Sequence, residues 1–319
     1  MDPATSNKPW RCSFWFLILT QFQGAFNDNA YKFLVILWIA SLGLREDARD
    51  RLVLVVGALF ALPFILFSMA GGYLADRYSK RSVTIGTRAS EILVMLVAIA
   101  GLSLNSLPHA LAAVFLLSAQ SAFFGPSKYG LLPELLPENT GQVAGSVMAE
   151  AFRGRQAWSG AILLGLSVLG LLCSLGIERV PAANISKKFQ LNFLANLLSE
   201  IREIRKDRVL FLAVVGNTYF FFLAALLQFN IVFYGTDVLK LLERQNGYLQ
   251  GAVAIGIGVG SLAAGYLSGN KIEYGLMPLG SIGMSVLGTA LYRPGLSVSS
   301  IAVNLALLGF FSGFFIVPI

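Results

Sequence analysis

Asp28 and Lys32 stand four residues apart inside a run, residues 13 to 43, that is long enough to cross a bilayer as a helix and is otherwise largely apolar. Ionisable side chains are costly in hydrocarbon, so a pair kept there points first to a bound polar group. Gln21, Gln23, Asn27 and Asn29 add amides to the same stretch. At about 100° per residue, Gln21, Asp28 and Lys32 fall on one narrow face of a helix, which is expected to look into a helical bundle. Asp28 and Lys32 can close an internal ion pair. A ligand carrying both charges can also replace that pair, its cationic group toward Asp28 and its anionic group toward Lys32 and Lys128.

Other candidate residues are spread along the chain. Lys128 closes a later apolar run, where a lysine can either meet a ligand or simply reach the interface. Arg88 and Glu91 are three apart and are expected to pair. Glu150 lies in the short fifth span and can serve as a proton-carrying or headgroup-binding residue. Asn217 and Gln228, with Asn230 beside them, can line a cavity or make hydrogen bonds between helices. Asp76, Arg77, Lys80 and Arg81 crowd a short hinge between two apolar runs.

These residues need membrane helices to hold them. Of 319 residues 56% are hydrophobic and 13% charged, and the mean hydropathy is +0.70. That balance overfills a soluble core and suits lipid as solvent. The apolar runs do not alternate with polar residues, which argues against a β-barrel. The net charge of +7 sits in short connections between spans, where the positive-inside bias accounts for it without nucleic acid.

Spans are expected at about 13–43, 52–75, 83–104, 110–132, 156–177, 209–235, 247–269, 276–292 and from 298 onward. The charged hinge after the second span, with Arg88 just beyond it, marks the cytoplasmic side. Residues 141 to 152 are too short for a full crossing, so span five is expected to be truncated or re-entrant. Residues 187 to 206 space leucine and isoleucine at helical intervals between charges, as in an amphipathic surface helix.

The hinge Gly71–Val83 has a weaker copy at Gly265–Lys271, and Phe123–Pro126 corresponds to Phe314–Pro318 at nearly the same offset. Such repetition implies two related halves. The expected organisation is an all-α bundle with about 9–10 spans: an N-terminal half over 1–178, a cytoplasmic linker over 179–208, and a C-terminal half over 209–319 with its last two spans missing.

The signals for other classes are weak. Cys12 and Cys173 are far apart and near apolar stretches, and no metal or cofactor site is suggested. Gly258, Gly260 and Ala263 echo a dinucleotide fingerprint but have no strand before them, so close helix packing at Gly256 and Gly260 is the better account. His109, the one histidine, has no acid four residues on, and no nucleophile triad or phosphate loop is visible. The expectation is a transporter, not an enzyme.

The hinge resembles the loop between spans two and three of the major facilitator superfamily, matched at Gly72, Leu74, Ala75, Asp76, Arg77, Lys80 and Arg81, with Ser79 in place of a glycine. Gln21–Asn29 and Phe124–Pro137 are similar to the bacterial lysophospholipid transporters. The resemblance covers essentially the whole chain. It implies a facilitator that moves lysophospholipid of the lysophosphatidylethanolamine type across the bacterial inner membrane for reacylation. It also implies a gating role for Asp76, Arg77 and Arg81, and a possible fused or separate acyltransferase and acyl-carrier-protein synthetase. Two alternatives stay open: an exporter of a drug or other small molecule, and a membrane anchor for a fused enzyme.

Overall fold

The structure is a computed structural model that describes residues 10–128, 135–178, 193–269, 273–293 and 295–317. The side chains of 10–12, 14, 124–128, 135–139, 193–197 and 200 lie outside that description. Every regular element among the described residues is helical: α1 (Trp10–Ser41), α2 (Glu46–Arg77), α3 (Lys80–Ser103), α4 (Leu107–Lys128), α5 (Leu135–Ala151), α6 (Ala157–Leu175), α7 (Phe193–Ile204), α8 (Arg208–Phe233), α9 (Glu243–Ser268), α10 (Leu276–Ala290) and α11 (Val298–Ile316). One π-helical turn, Tyr234–Val238, follows α8.

Among the described residues, six helical stretches are long and apolar enough to span a membrane: α2, α3, α6, α8 with its π turn, α9 and α11. Helix α1 has 32 residues but carries the polar cluster.

The helix ends follow from local chemistry. Glu46 and Asp47 sit in the first turn of α2, where negative charge suits the helix dipole. Ser79 caps α3, its hydroxyl accepting from the Ser82 amide at 3.2 Å, and Asp207 caps α8 by accepting from Val209 and Leu210. Ser79 has φ −62°, so the turn needs no glycine there. The second copy of the hinge ends its helix differently, at Gly269 with φ +55°.

Several bounds move from expectation. Span five starts earlier than residue 141, because α5 runs from Leu135 and makes 17 residues. The amphipathic stretch contains α7, with residues 187–192 outside the described part. Arg88, just beyond the hinge in sequence, is fully buried within α3. Counting basic residues along the sequence does not show this, because Arg88 lies only two turns from Arg81.

The chain divides into two compact units, one of residues 1–132 and 144–189, the other of 133–143 and 190–319. In the first, α4 packs on α2 and α3, and α6 packs on α1 and α3. In the second, α9 and α11 pack along their lengths around Leu249, Val253, Ile257, Ile301 and Leu305, and α10 joins α11.

The α9–α11 contact depends on small residues. A Cβ at Gly256 would lie 1.9 Å from the Ala306 carbonyl oxygen, and one at Gly260 would lie 2.0 Å from that of Phe310. Gly309 and Gly313 return the fit from α11. Lipid gives little hydrophobic drive to helix association, so close backbone approach supplies much of the contact. Gly260→Val is expected to force the helices apart and cost about 1–3 kcal/mol or more. Gly265→Ala, with open space around its Cβ, is the control. Thermal melts of the purified protein in detergent would show a lowered midpoint for the first and none for the second.

Candidate functional site

Helix α1 is enclosed on all sides from Asn27 to Ile39, with no residue there more than 5% exposed. Asp28 and Lys32, 4% and 5% exposed, are held inside the bundle, facing α4 and α2. The Ser121 hydroxyl of α4 donates to Asp28 Oδ2, and Gln120 Nε2 donates to Ser121 Oγ at 3.2 Å. The Lys32 ammonium lies 4.2 Å from the centre of the Phe60 ring on α2 and 6.0 Å from that of Phe33. A cation so placed is stabilised by the ring face. Gln21, two turns before Asp28, is half-buried.

Asn27 turns another way. Its amide nitrogen donates to Glu91 Oε1 at 2.9 Å, to the Leu163 carbonyl at 3.1 Å and to Ser167 Oγ at 2.7 Å. The Glu91 carboxylate also accepts from Gln23 Nε2 and Ser167 Oγ, both at 2.9 Å, and from Arg88. Both charged side chains have no exposure. Arg88 and Glu91 pair as their spacing predicts, but the pair is the centre of a buried network joining α1, α3 and α6. Gly24 makes room for it, since a Cβ there would lie 2.2 Å from the guanidinium. The sequence carried one signal of this network: two opposite charges within an apolar span, facing a run of amides.

At the hinge, Asp76 is half-buried and Arg77 donates to the Tyr73 hydroxyl while lying 5.6 Å from that ring. Arg81 Nη2 donates to the Leu175 carbonyl at 2.9 Å, tying the start of α3 to the last turn of α6. Helix C-terminal carbonyls lack partners within the helix, so a guanidinium is a favourable end group there. The three expected gating residues thus sit together at one end of the first unit.

The remaining candidates are scattered. Lys128 ends α4, but its side chain lies outside the described residues. Glu150, on α5, and Asn217 and Gln228, on α8, are half-buried. The Gln228 carbonyl accepts from Gln250 of α9 at 3.0 Å, and Asn230 donates to Leu226 of its own helix at 2.8 Å. His109, in the first turn of α4, bonds to the Ser106 hydroxyl at 2.7 Å. Among the described residues no group of three or more histidine, cysteine or acidic side chains is gathered as for a metal ion.

Residues 17–319 match the family model of the Major Facilitator Superfamily. The chain belongs to that superfamily. A Klebsiella pneumoniae protein named lysophospholipid transporter LplT is 27% identical over 323 residues, covering 95% of this chain and 78% of its own length. The protein of that name from Escherichia coli O157:H7 is 26% identical over 334 residues, covering 99% of this chain and 81% of its own. Among solved structures, a bacterial homologue of the human lysosomal transporter Spinster, captured inward-facing and unoccupied, superposes with a TM-score of 0.61 at 14% identity, over 97% of this chain and 74% of its own. A POT family transporter reaches 0.56 at 12% identity, over 95% and 81%. These superpositions establish the fold alone. As a member of the Major Facilitator Superfamily with six span-competent helices, the protein is a multi-pass membrane transporter and not an enzyme.

Proposed function

We propose that this transporter carries lysophospholipid of the lysophosphatidylethanolamine type across the bacterial inner membrane to the cytoplasmic leaflet, by alternating access. The observation that carries the proposal is the buried Asp28–Lys32 site. One helix presents a carboxylate and an ammonium four residues apart, next to the aromatic surface of Phe60 and Phe33. A zwitterionic headgroup on a single acyl chain needs both charges and an apolar wall. The relatives named lysophospholipid transporter, aligned over 95% and 99% of the chain, support the same cargo.

On this account the headgroup amine meets Asp28 and its phosphate meets Lys32 and Lys128, with Gln21 beside them, whereas Asn27, expected from the sequence to share this site, is instead committed to Glu91, Leu163 and Ser167. Glu150, Asn217 and Gln228 contact the cargo at other stages. Asp76, Arg77 and Arg81 hold one state of the cycle at the hinge, and residues 179–208 link the two halves over 1–178 and 209–319. An acyltransferase with acyl-carrier-protein synthetase activity, fused or separate, would consume the delivered lysolipid.

Uptake of labelled lysophosphatidylethanolamine by spheroplasts expressing the chain tests this. Expression should raise conversion of the label to diacyl lipid several-fold over cells lacking it. Equal conversion in both would remove the lysolipid from the proposal.

A further inference from the structure

Helix α7 has 12 residues, too few to cross a bilayer, and it leads directly into α8, which with its π turn runs for 31 residues and can cross. The connection between them is tight. The amides of Arg205, Lys206 and Asp207 bond back to the carbonyls of Ile201, Glu203 and Ile204 at 3.0, 3.0 and 3.2 Å, and the Asp207 side chain then caps α8. Val209, Leu210 and Leu212, at the start of α8, are 76%, 48% and 57% exposed, as lipid-facing residues of a span are. The chain therefore meets the bilayer surface at the turn between α7 and α8.

One face of α7 is apolar. At about 100° per residue, Leu198, Ile201 and Ile204 fall within about 120° of one another, and Leu198 and Ile201 are 64% and 41% exposed. Arg205, which continues the helical turn, falls inside this stripe, and Arg202 falls beside Leu198 at its edge. Glu200 takes the opposite edge and Glu203 the far side. Glu203 faces Lys206 at 3.9 Å, and Asp207 is occupied in capping α8, so neither acid offsets the three arginines. The Arg205 guanidinium lies 5.7 Å from the centre of the Phe211 ring, next to the start of the span. Arg208 opens α8, where a positive charge opposes the helix dipole and a nearby anion relieves it. Lys187 and Lys188 precede α7 in sequence, so six basic residues stand against three acidic ones over 187–208.

We propose that α7 lies on the bilayer surface where α8 enters it and binds anionic phospholipid there, with Leu198 and Ile201 at the boundary of headgroups and acyl chains and Arg202, Arg205 and Arg208 on the phosphates. A face this small holds a helix to lipid weakly by apolar area alone, and attraction to anionic headgroups supplies the rest. The arginine stems can lie along the apolar stripe while their guanidinium groups reach the headgroups. Basic clusters beside a span are drawn to an anionic leaflet, and each such residue near the surface strengthens binding about fivefold. A leaflet of zwitterionic lipid offers no such gain. The inference does not depend on the cargo proposed above.

Amide hydrogen exchange of the full chain tests this in three settings: nanodiscs of phosphatidylcholine, nanodiscs with a third of that lipid replaced by phosphatidylglycerol, and lipid-free amphipol. In the anionic discs the amides of 198–206 should exchange about tenfold more slowly than in the neutral discs, while those of α9 do not change. Arg202→Gln with Arg205→Gln should abolish that difference and leave exchange in the neutral discs as it is in the native chain. Leu198→Asn with Ile201→Asn should also abolish it, through loss of the apolar face. Both pairs are exposed, so the spans should fold as before, and unchanged exchange in α9 checks that they do. Equal exchange in the two kinds of disc for the native chain overturns the inference, and so does a difference that survives both double variants. Slow exchange of the same amides in amphipol, unmoved by either variant, overturns it as well, because protein and not lipid would then cover this face.

Discussion

Glu91→Ala is expected to remove most folded protein from the membrane, by a loss of about 3–5 kcal/mol. That is a large share of the 5–15 kcal/mol by which proteins are ordinarily stable. The reason lies in how many donors converge on one carboxylate. Arg88, Gln23, Asn27 and Ser167 all donate to Glu91 from three helices, and neither Arg88 nor Glu91 has any exposure. Truncating Glu91 takes the facing negative charge from a guanidinium that solvent does not reach, and strips three polar groups of an acceptor. Replacing the pair together, as Arg88→Met with Glu91→Leu, removes both charges at similar volume and should recover much of the stability. Monodispersity and melting midpoint of detergent extracts would measure both. A Glu91→Ala protein that melts like the native one would contradict the burial of this network.

Asp28→Asn should leave the fold intact and lower lysolipid transport by at least tenfold. Asparagine keeps the shape and can still accept from Ser121, so the contact with α4 survives. The negative charge meant for the headgroup amine is lost, and bonds to charged groups are worth about 1.5–3 kcal/mol. Lys32→Ala should act similarly from the phosphate side while also vacating the face of Phe60. The informative comparison sets transport against melting midpoint in each variant. Loss of transport with an unchanged midpoint supports a headgroup site; normal transport in both variants rules it out.

What could be read from the sequence was whatever a single helix determines. The spans and the pairing of Arg88 with Glu91 depend on residues along one helix. Gly256 and Gly260 were legible as packing residues because two small side chains four apart leave a groove whatever lies opposite. What needed the fold was the partner across the gap. Asn27 and Asp28 are neighbours in sequence, yet one faces Ser167 of α6 and the other Ser121 of α4. Arg88 could be paired with Glu91 from spacing, but nothing local says that Gly24 opens a space for its guanidinium.

The most direct measurement is lysophosphatidylethanolamine translocation by the purified full chain in proteoliposomes, with diacyl phosphatidylethanolamine measured beside it, both with and without an ion gradient. The proposed function predicts translocation of the lysolipid well above protein-free vesicles, little movement of the diacyl lipid, and loss of the difference in Asp28→Asn. Lysolipid movement no faster than in protein-free vesicles under either gradient condition would contradict it.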